Sequence, residues 1–182
     1  MLINIFGKNI WIFLIIIDFI LVMVLSARIR KMKSITAKIM FIVYSFVSGL
    51  TFSSIFVVYQ LESIMYVLGI TACLFGIFSL IGYFTKIDLS KMGIFLLMGL
   101  IGIIICGIIN MFVQSETFDL TICIISIVIF TLYIIFDINR IKSLYNCFDD
   151  EDNLAICCAL QLYLDFVNIF LDLLRLFGKN RD

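Results

Sequence analysis

From Ile39 to Tyr59, from Ser63 to Phe84 and from Met92 to Val113 the chain carries no charged side chain. A helix rises about 1.5 Å per residue, so each run can cross the roughly 30 Å of hydrocarbon in a bilayer. Hydrocarbon offers the backbone no hydrogen-bond partner, so a segment immersed in it must satisfy its own N–H and C=O groups. These runs are continuous and lack the apolar–polar alternation of barrel strands, which leaves the helix.

Three further runs have the same length but carry acids. They span about Ile10 to Ala27, interrupted by Asp18; about Leu120 to Ile138, meeting Asp137 at its end; and about Leu154 to Leu176, carrying Asp165, Asp172 and Arg175. The whole chain is 64% hydrophobic and 14% charged, with a mean hydropathy of +1.22. A soluble domain is about 45–50% apolar and about 25% charged. The predicted fold class is therefore all-α: a polytopic transmembrane helical bundle of about six spans, forming a single transmembrane domain over residues 1–182.

Several function classes drop out. Net charge is +0 and the basic residues are scattered, so no phosphate-tracking surface for nucleic acid is expected. There is no histidine, and any titration near neutrality must come from carboxylates or thiols. Cys73, Cys106, Cys123, Cys147, Cys157 and Cys158 form no CxxC. They read as small apolar residues rather than a zinc site. No small-residue cleavage site follows the first apolar run, which is read as a retained span rather than a signal peptide.

Loop charge orients the bundle. The loop after the first span holds Arg28, Arg30, Lys31, Lys33 and Lys38; the next holds Glu62; the third has Lys86 and Lys91 around Asp88; the fourth has Glu116 and Asp119; the fifth has Arg140 and Lys142 before "DDED". The positive-inside rule places loops one, three and five in the cytoplasm. A sixth full span then puts Arg175, Lys179 and Arg181 outside, against the rule. Either the tail breaks the rule or the last segment does not fully cross.

Charges at membrane depth are costly and usually face a bundle interior and a partner. Asp165, Asn168, Asp172 and Arg175 follow one another at spacings of three, four and three, so they share one stripe of a helix. Asp172 and Arg175 can neutralise each other at i, i+3; Asp165 is too far from Arg175 for that. Asp137 in "IIFDINRIK" and Arg28 in "LSARIR" end their spans on the cytoplasmic side, and Asp18 sits at mid-depth. If the last segment tilts or only partly crosses, Asp165 can approach Asp137, and two carboxylates in one low-dielectric site share a proton. Gly99, Gly102 and Cys106 lie on one face of the fourth span, with Gly107 adjacent, and predict close helix packing there.

The stretches "LSARIRKM", "YSFVSGLTFSSIF", "FGIFSLIGYFTKIDLSKMGIFLLMGLIGIII", "IIFDINRIK" and "LYLDFVNIFLDLLRLFGKNRD" fall in an order that covers nearly the whole chain. In them the chain resembles the Bax inhibitor-1 family of membrane proteins, its bacterial members in particular. The resemblance implies a bundle with a central last helix and a proton-sensitive calcium leak. It implies that Asp137 and Asp165 are the family's proton-sharing pair, that Arg28 is a latch on the first of them, and that Asp18 is an acidic residue of the same helix. Other bacterial members are linked to control of a membrane protease, and eukaryotic members to suppression of cell death. Family members usually carry seven spans, and the first is the one without a counterpart here. Asp172 stands where an apolar or small residue is more usual.

The expected function is a pH-sensitive calcium (cation) leak across the bilayer, with calcium ions and protons as its partners, sensed and gated by Asp137, Asp165 and Arg28. Asp18, Asn168, Asp172 and Arg175 are candidates for the ion pathway. No cofactor and no fixed metal site is expected, only transient calcium near Asp137 and Asp165, whose oxygens suit that ion. The expected home is a bacterial inner membrane. The alternative is a non-conducting partner of other membrane proteins, such as a membrane protease, using "DDED" and the polar tail as contact surfaces. An intramembrane aspartyl protease is set aside, because neither "IFDIN" nor "YLDFV" has the glycine-flanked aspartate of such enzymes.

Overall fold

The computed structural model describes residues 2–144 and 151–181, with side chains described outside 2–13, 15, 30 and 142–144. Among these residues, six long helices appear where the apolar runs predict them. They are α1 (Leu2–Arg28), α2 (Ser34–Phe52), α4 (Leu61–Phe84), α5 (Met92–Val113), α6 (Glu116–Leu144) and α7 (Glu151–Phe177). A short α3 (Ile55–Val58) follows α2, and a 3₁₀ turn over Ile29–Lys31 follows α1. Among the described residues, five segments are long and apolar enough to cross a membrane: Ser34–Val58, Leu61–Phe84, Met92–Val113, Glu116–Ile141 and Glu151–Phe177.

The predicted second span is one apolar run, yet its helix breaks after Phe52 without a proline. The Ser53 hydroxyl donates to Leu50 O at 2.7 Å and the Ser54 hydroxyl to Thr51 O at 2.9 Å. Such local bonds compete with the helical ladder. Other breaks are also built from polar side chains. Gln114 ends α5 in the left-handed region at φ 52°, its N–H donating to Asn110 O. The Asn110 side-chain oxygen takes the Ser115 N–H, and the Ser115 hydroxyl oxygen takes the Phe118 N–H. Ser115 thereby caps α6.

Contacts divide the chain into two compact units, Met1–Val58 with Asn146–Leu160 and Tyr59–Tyr145 with Gln161–Asp182. In the first unit α1 packs along α2. Asp152, at the start of α7, accepts from the Ser34 hydroxyl at 2.9 Å and from Lys38 Nζ at 2.6 Å. The buried Asn153 donates to Met32 O at 2.8 Å.

In the second unit α6 packs against both α4 and α5. These contacts are close because glycines make them. A Cβ on Gly82 would lie 2.7 Å from Ile135 O, and one on Gly93 would lie 2.8 Å from the Phe136 ring. Gly99 meets Ile129, but Gly102 and Gly107 face open space. The predicted small-residue face of α5 is therefore tight only at Gly99; the closest approaches lie at Gly82 and Gly93. Side chains turned away from these seams are apolar and bare, Phe112 being 84% exposed. Exposed apolar surface on this scale belongs in lipid, not water. From Leu160 to Leu174 no side chain of α7 is exposed, in keeping with the enclosed last helix that the sequence implies.

The end of the chain is held against the start of α4. Tyr59 and Asn180 form an isolated antiparallel bridge, Gln60 N donates to Lys179 O at 3.0 Å, and Lys179 N donates to the Ser63 hydroxyl at 3.0 Å. Gly178 lies against Leu174 O and the Tyr59 ring, where no Cβ would fit. Helix α7 is continuous over Glu151–Phe177, long enough to cross, and the tail ends beside the start of α4.

Candidate functional site

Asp137 and Asp165 both belong to the second unit and are both buried, 6% and 4% exposed. Each carboxylate acts on the other's charge, and both act on the Tyr133 hydroxyl, one turn before Asp137 on α6. The predicted pair is therefore brought together on an unbroken α7 of full spanning length. The sequence does not announce the scaffold. Ile135 and Phe136, which lead into Asp137, are the residues that Gly82 and Gly93 press upon. Asn139 then donates to Thr85 O at 2.9 Å, tying this end of α6 to the end of α4.

A cavity of about 1070 Å³ opens here. Exposed Lys86, Asp88 and Arg140 stand at its mouth, and buried Asp137 with Tyr133 and Gln161 line it further in. Asp88 accepts from the Ser90 N–H at 2.9 Å and from the Ser90 hydroxyl at 2.5 Å, and these bonds hold its carboxyl below the ordinary value. The mouth therefore carries a fixed negative charge near neutrality beside its two cations. Arg140 Cζ stands 5.8 Å from the centroid of the Phe136 ring and lends its charge to Asp137 from the next turn. Asp165 Oδ2 and Gln161 Oε1, one helical turn apart, are buried without a hydrogen-bond partner.

Two turns further along α7, Asp172 and Arg175 act on each other's charge, and each also has a partner on α6. Ser126 Oγ donates to Asp172 Oδ2, and Arg175 Nη1 pairs with Asp119 Oδ1 at 3.7 Å. Helix α6 thus lies beside this face of α7. Asn168 is half-buried and donates to Leu164 O of its own helix at 2.7 Å. The polar stripe is thus two stations, Asp165 toward one end and Asp172 toward the other. Beyond the second, Asn110, Glu116, Asp119, Arg175 and Asn180 help line a cavity of about 520 Å³ at the tail end of the unit.

The remaining sequence candidates lie in the first unit. Asp18 is half-buried, bonded to the Ser48 hydroxyl of α2, with its Oδ1 unpartnered. Arg28 is exposed at the end of α1. Of the "DDED" acids, Asp149 and Asp150 lie outside the described residues, as does Cys147, and Asp152 is taken up by Ser34 and Lys38. Among the described residues no cluster of three or more acidic or cysteine side chains could hold a metal ion. Tyr133, Ser126, Gln161, Gly82 and Gly93 are the site residues that the sequence reading missed. Only Gln161 left a sequence signal: it stands four residues before Asp165 and extends the same polar stripe.

Apolar helices with bare outer faces, joined by short loops and closing on buried carboxylates, define a multi-pass membrane protein with a polar site inside its bundle. The chain belongs to the Bax inhibitor-1 family: the family model described as "Inhibitor of apoptosis-promoting Bax1" matches residues 1–182. It is 42% identical over 173 residues to an uncharacterized protein of Borreliella burgdorferi, covering 93% of this chain and 75% of that one. To the inner membrane protein YbhL of Escherichia coli it is also 42% identical over 173 residues, covering 92% and 74%. An uncharacterized membrane protein of Streptococcus pyogenes is 37% identical over 167 residues, covering 91% and 72%.

Proposed function

We propose that the chain is a proton-sensitive cation leak, with calcium as the ion and a bacterial inner membrane as its home. The observation that carries this reading is a pair of buried carboxylates, Asp137 and Asp165, near enough to act on each other's charge, with Asp137 lining a cavity whose mouth is polar. Two such groups in one water-poor site cannot both hold charge cheaply, so proton occupancy and cation occupancy compete there. A protonated pair has no net charge to offer a cation; an ionised one attracts it. The same change alters the force between α6 and α7, which gives protonation a lever on the closed–open balance. The Escherichia coli relative, named as an inner membrane protein, supports the choice of membrane.

The test is calcium flux into liposomes that hold the purified chain, measured from mildly acid to mildly alkaline pH. Wild type should show flux that varies through neutrality, and Asp165→Asn should flatten that dependence. Equal flux and equal pH dependence in the two proteins would overturn the reading. Flux absent from both, with another membrane protein co-purifying, would favour the non-conducting partner instead. Arg28→Ala adds a separate readout: a latch role predicts a larger leak in the variant at neutral pH.

A further inference from the structure

The unpartnered oxygen of Gln161 is not explained by a pair of aspartates. Buried polar atoms in folded proteins are almost always hydrogen-bonded, and an exception calls for a water, an ion or a functional reason. Gln161 Oε1 is such an exception, and so is Asp165 Oδ2 one turn later on the same helix face. Gln161 also lines the cavity that reaches Asp137 and Tyr133. Tyr133 and Asp137 have the same one-turn spacing on α6, and Tyr133 feels the charge of both aspartates. Two one-turn pairs, one from each helix, therefore bring an amide oxygen, a phenol oxygen and two carboxylates to one place. No histidine exists in the chain to add a nitrogen.

This is an oxygen set, which suits hard cations. Calcium in particular accepts side-chain amide carbonyls beside carboxylates and water. An amide oxygen has a property that neither aspartate has: it does not titrate, so it stays available whatever the proton occupancy of the pair. Its contribution falls more heavily on an ion that needs many oxygens to replace its water than on a weakly hydrated monovalent ion.

We propose that Gln161 supplies the neutral oxygen of the cation site formed with Asp137 and Asp165, and that it sets the preference of that site for divalent over monovalent cations. The proposal rests on the leak reading for its consequence in transport, but the binding site itself can be tested apart from conduction.

Two measurements on the full chain separate the possibilities. In liposomes, calcium and potassium fluxes are compared for wild type, Asp165→Asn, Gln161→Leu and Gln161→Glu. Gln161→Leu should lower the calcium-to-potassium ratio by about tenfold, the usual scale for losing one ligating or orienting group. Gln161→Glu, which keeps an oxygen at that place, should retain the preference. In detergent, terbium emission sensitised by Tyr133 and displaced by calcium reports occupancy, with Tyr133→Phe as the dark control. Gln161→Leu should weaken that binding by about tenfold while melting at the wild-type temperature. Calcium-displaceable binding that weakens in Gln161→Leu, in a protein that passes no ion, would uphold the site and overturn the leak reading. Wild-type flux with an unchanged ion ratio and unchanged terbium affinity in Gln161→Leu would overturn the role of Gln161 and leave the leak reading standing.

Discussion

Single residues decide whether the polar interior is tolerable. Asp172 is buried, 9% exposed; the Ser126 hydroxyl donates to it, and Cys123 also bonds it. Ser126→Ala removes the hydroxyl donor to a buried carboxyl, at a cost of about 1–3 kcal/mol. Replacing the two together, Ser126→Ala with Asp172→Leu, should cost less than the sum of the single changes, because the carboxyl is removed along with its hydroxyl donor. Melting temperatures of the four proteins in one detergent check this, and strict additivity would show that the two side chains do not interact. Asp88 obeys a different rule because it is exposed. Its carboxyl is held below the ordinary value by Ser90, so its contribution to the turn is present above that ordinary value and fades as pH falls through the lowered one. Exchange of the Ser90 amide hydrogen, corrected for the intrinsic effect of pH, should be slow at neutrality and lose its protection only in acid. Asp88→Asn should show the weaker protection at every pH.

At the scale of elements, the spans were legible because bilayer thickness dictates them. Runs without charge must be helical and long enough to cross, and Ser63–Phe84 and Met92–Val113 were read to within two residues of α4 and α5. What the sequence concealed was how each helix is rotated. Gly82, Gly99 and Gly102 look alike in one dimension, yet Gly82 abuts the backbone of Ile135 while Gly102 meets nothing within 4 Å. Hydrophobic periodicity, the usual guide to rotation, fails in lipid because both sides of the helix are apolar. The break at Ser53 and Ser54 was hidden for a related reason: two hydroxyls among hydrocarbon residues barely change the run, though they redirect its hydrogen bonds. The glycines make the difference measurable. Gly82→Ala must push α4 from α6 and should cost about 1–3 kcal/mol. It should also disturb Asp137, two residues beyond the point of contact, and so change the pH dependence of any flux. Gly102→Ala has room and gains helix propensity, so it should be neutral or stabilising by up to about 1 kcal/mol. Equal melting temperatures for the two variants would remove the argument that Gly82 is a packing requirement.

At the scale of the molecule, two principles gave the sequence conflicting instructions. Hydropathy makes the last segment a full crossing, whereas the positive-inside rule asks that Arg175, Lys179 and Arg181 stay on the side of the basic loops. The structure favours the crossing, because the last helix and tail find partners at the acidic end. Arg175 pairs with Asp119, and the backbone of Lys179 and Asn180 is bonded to Tyr59, Gln60 and Ser63. None of these partners is near the tail in sequence, which is why composition alone left the matter open. The Asp137–Asp165 pair depends on the same result. A full crossing runs α7 back along α6, with Arg175 beside Asp119 at one end and Asp165 beside Asp137 toward the other. Sidedness is therefore a test of the site as well as of the topology. Single cysteines at Glu62, Lys91 and Lys179, all exposed, can be introduced into a chain whose native cysteines are replaced, and labelled from one face with a membrane-impermeant maleimide. Glu62→Cys and Lys179→Cys should react from the same face, and Lys91→Cys only from the other. Should Lys179→Cys instead label together with Lys91→Cys, the tail would lie on the basic side, α7 would not cross as described, and the pairing of Asp165 with Asp137 would need another geometry.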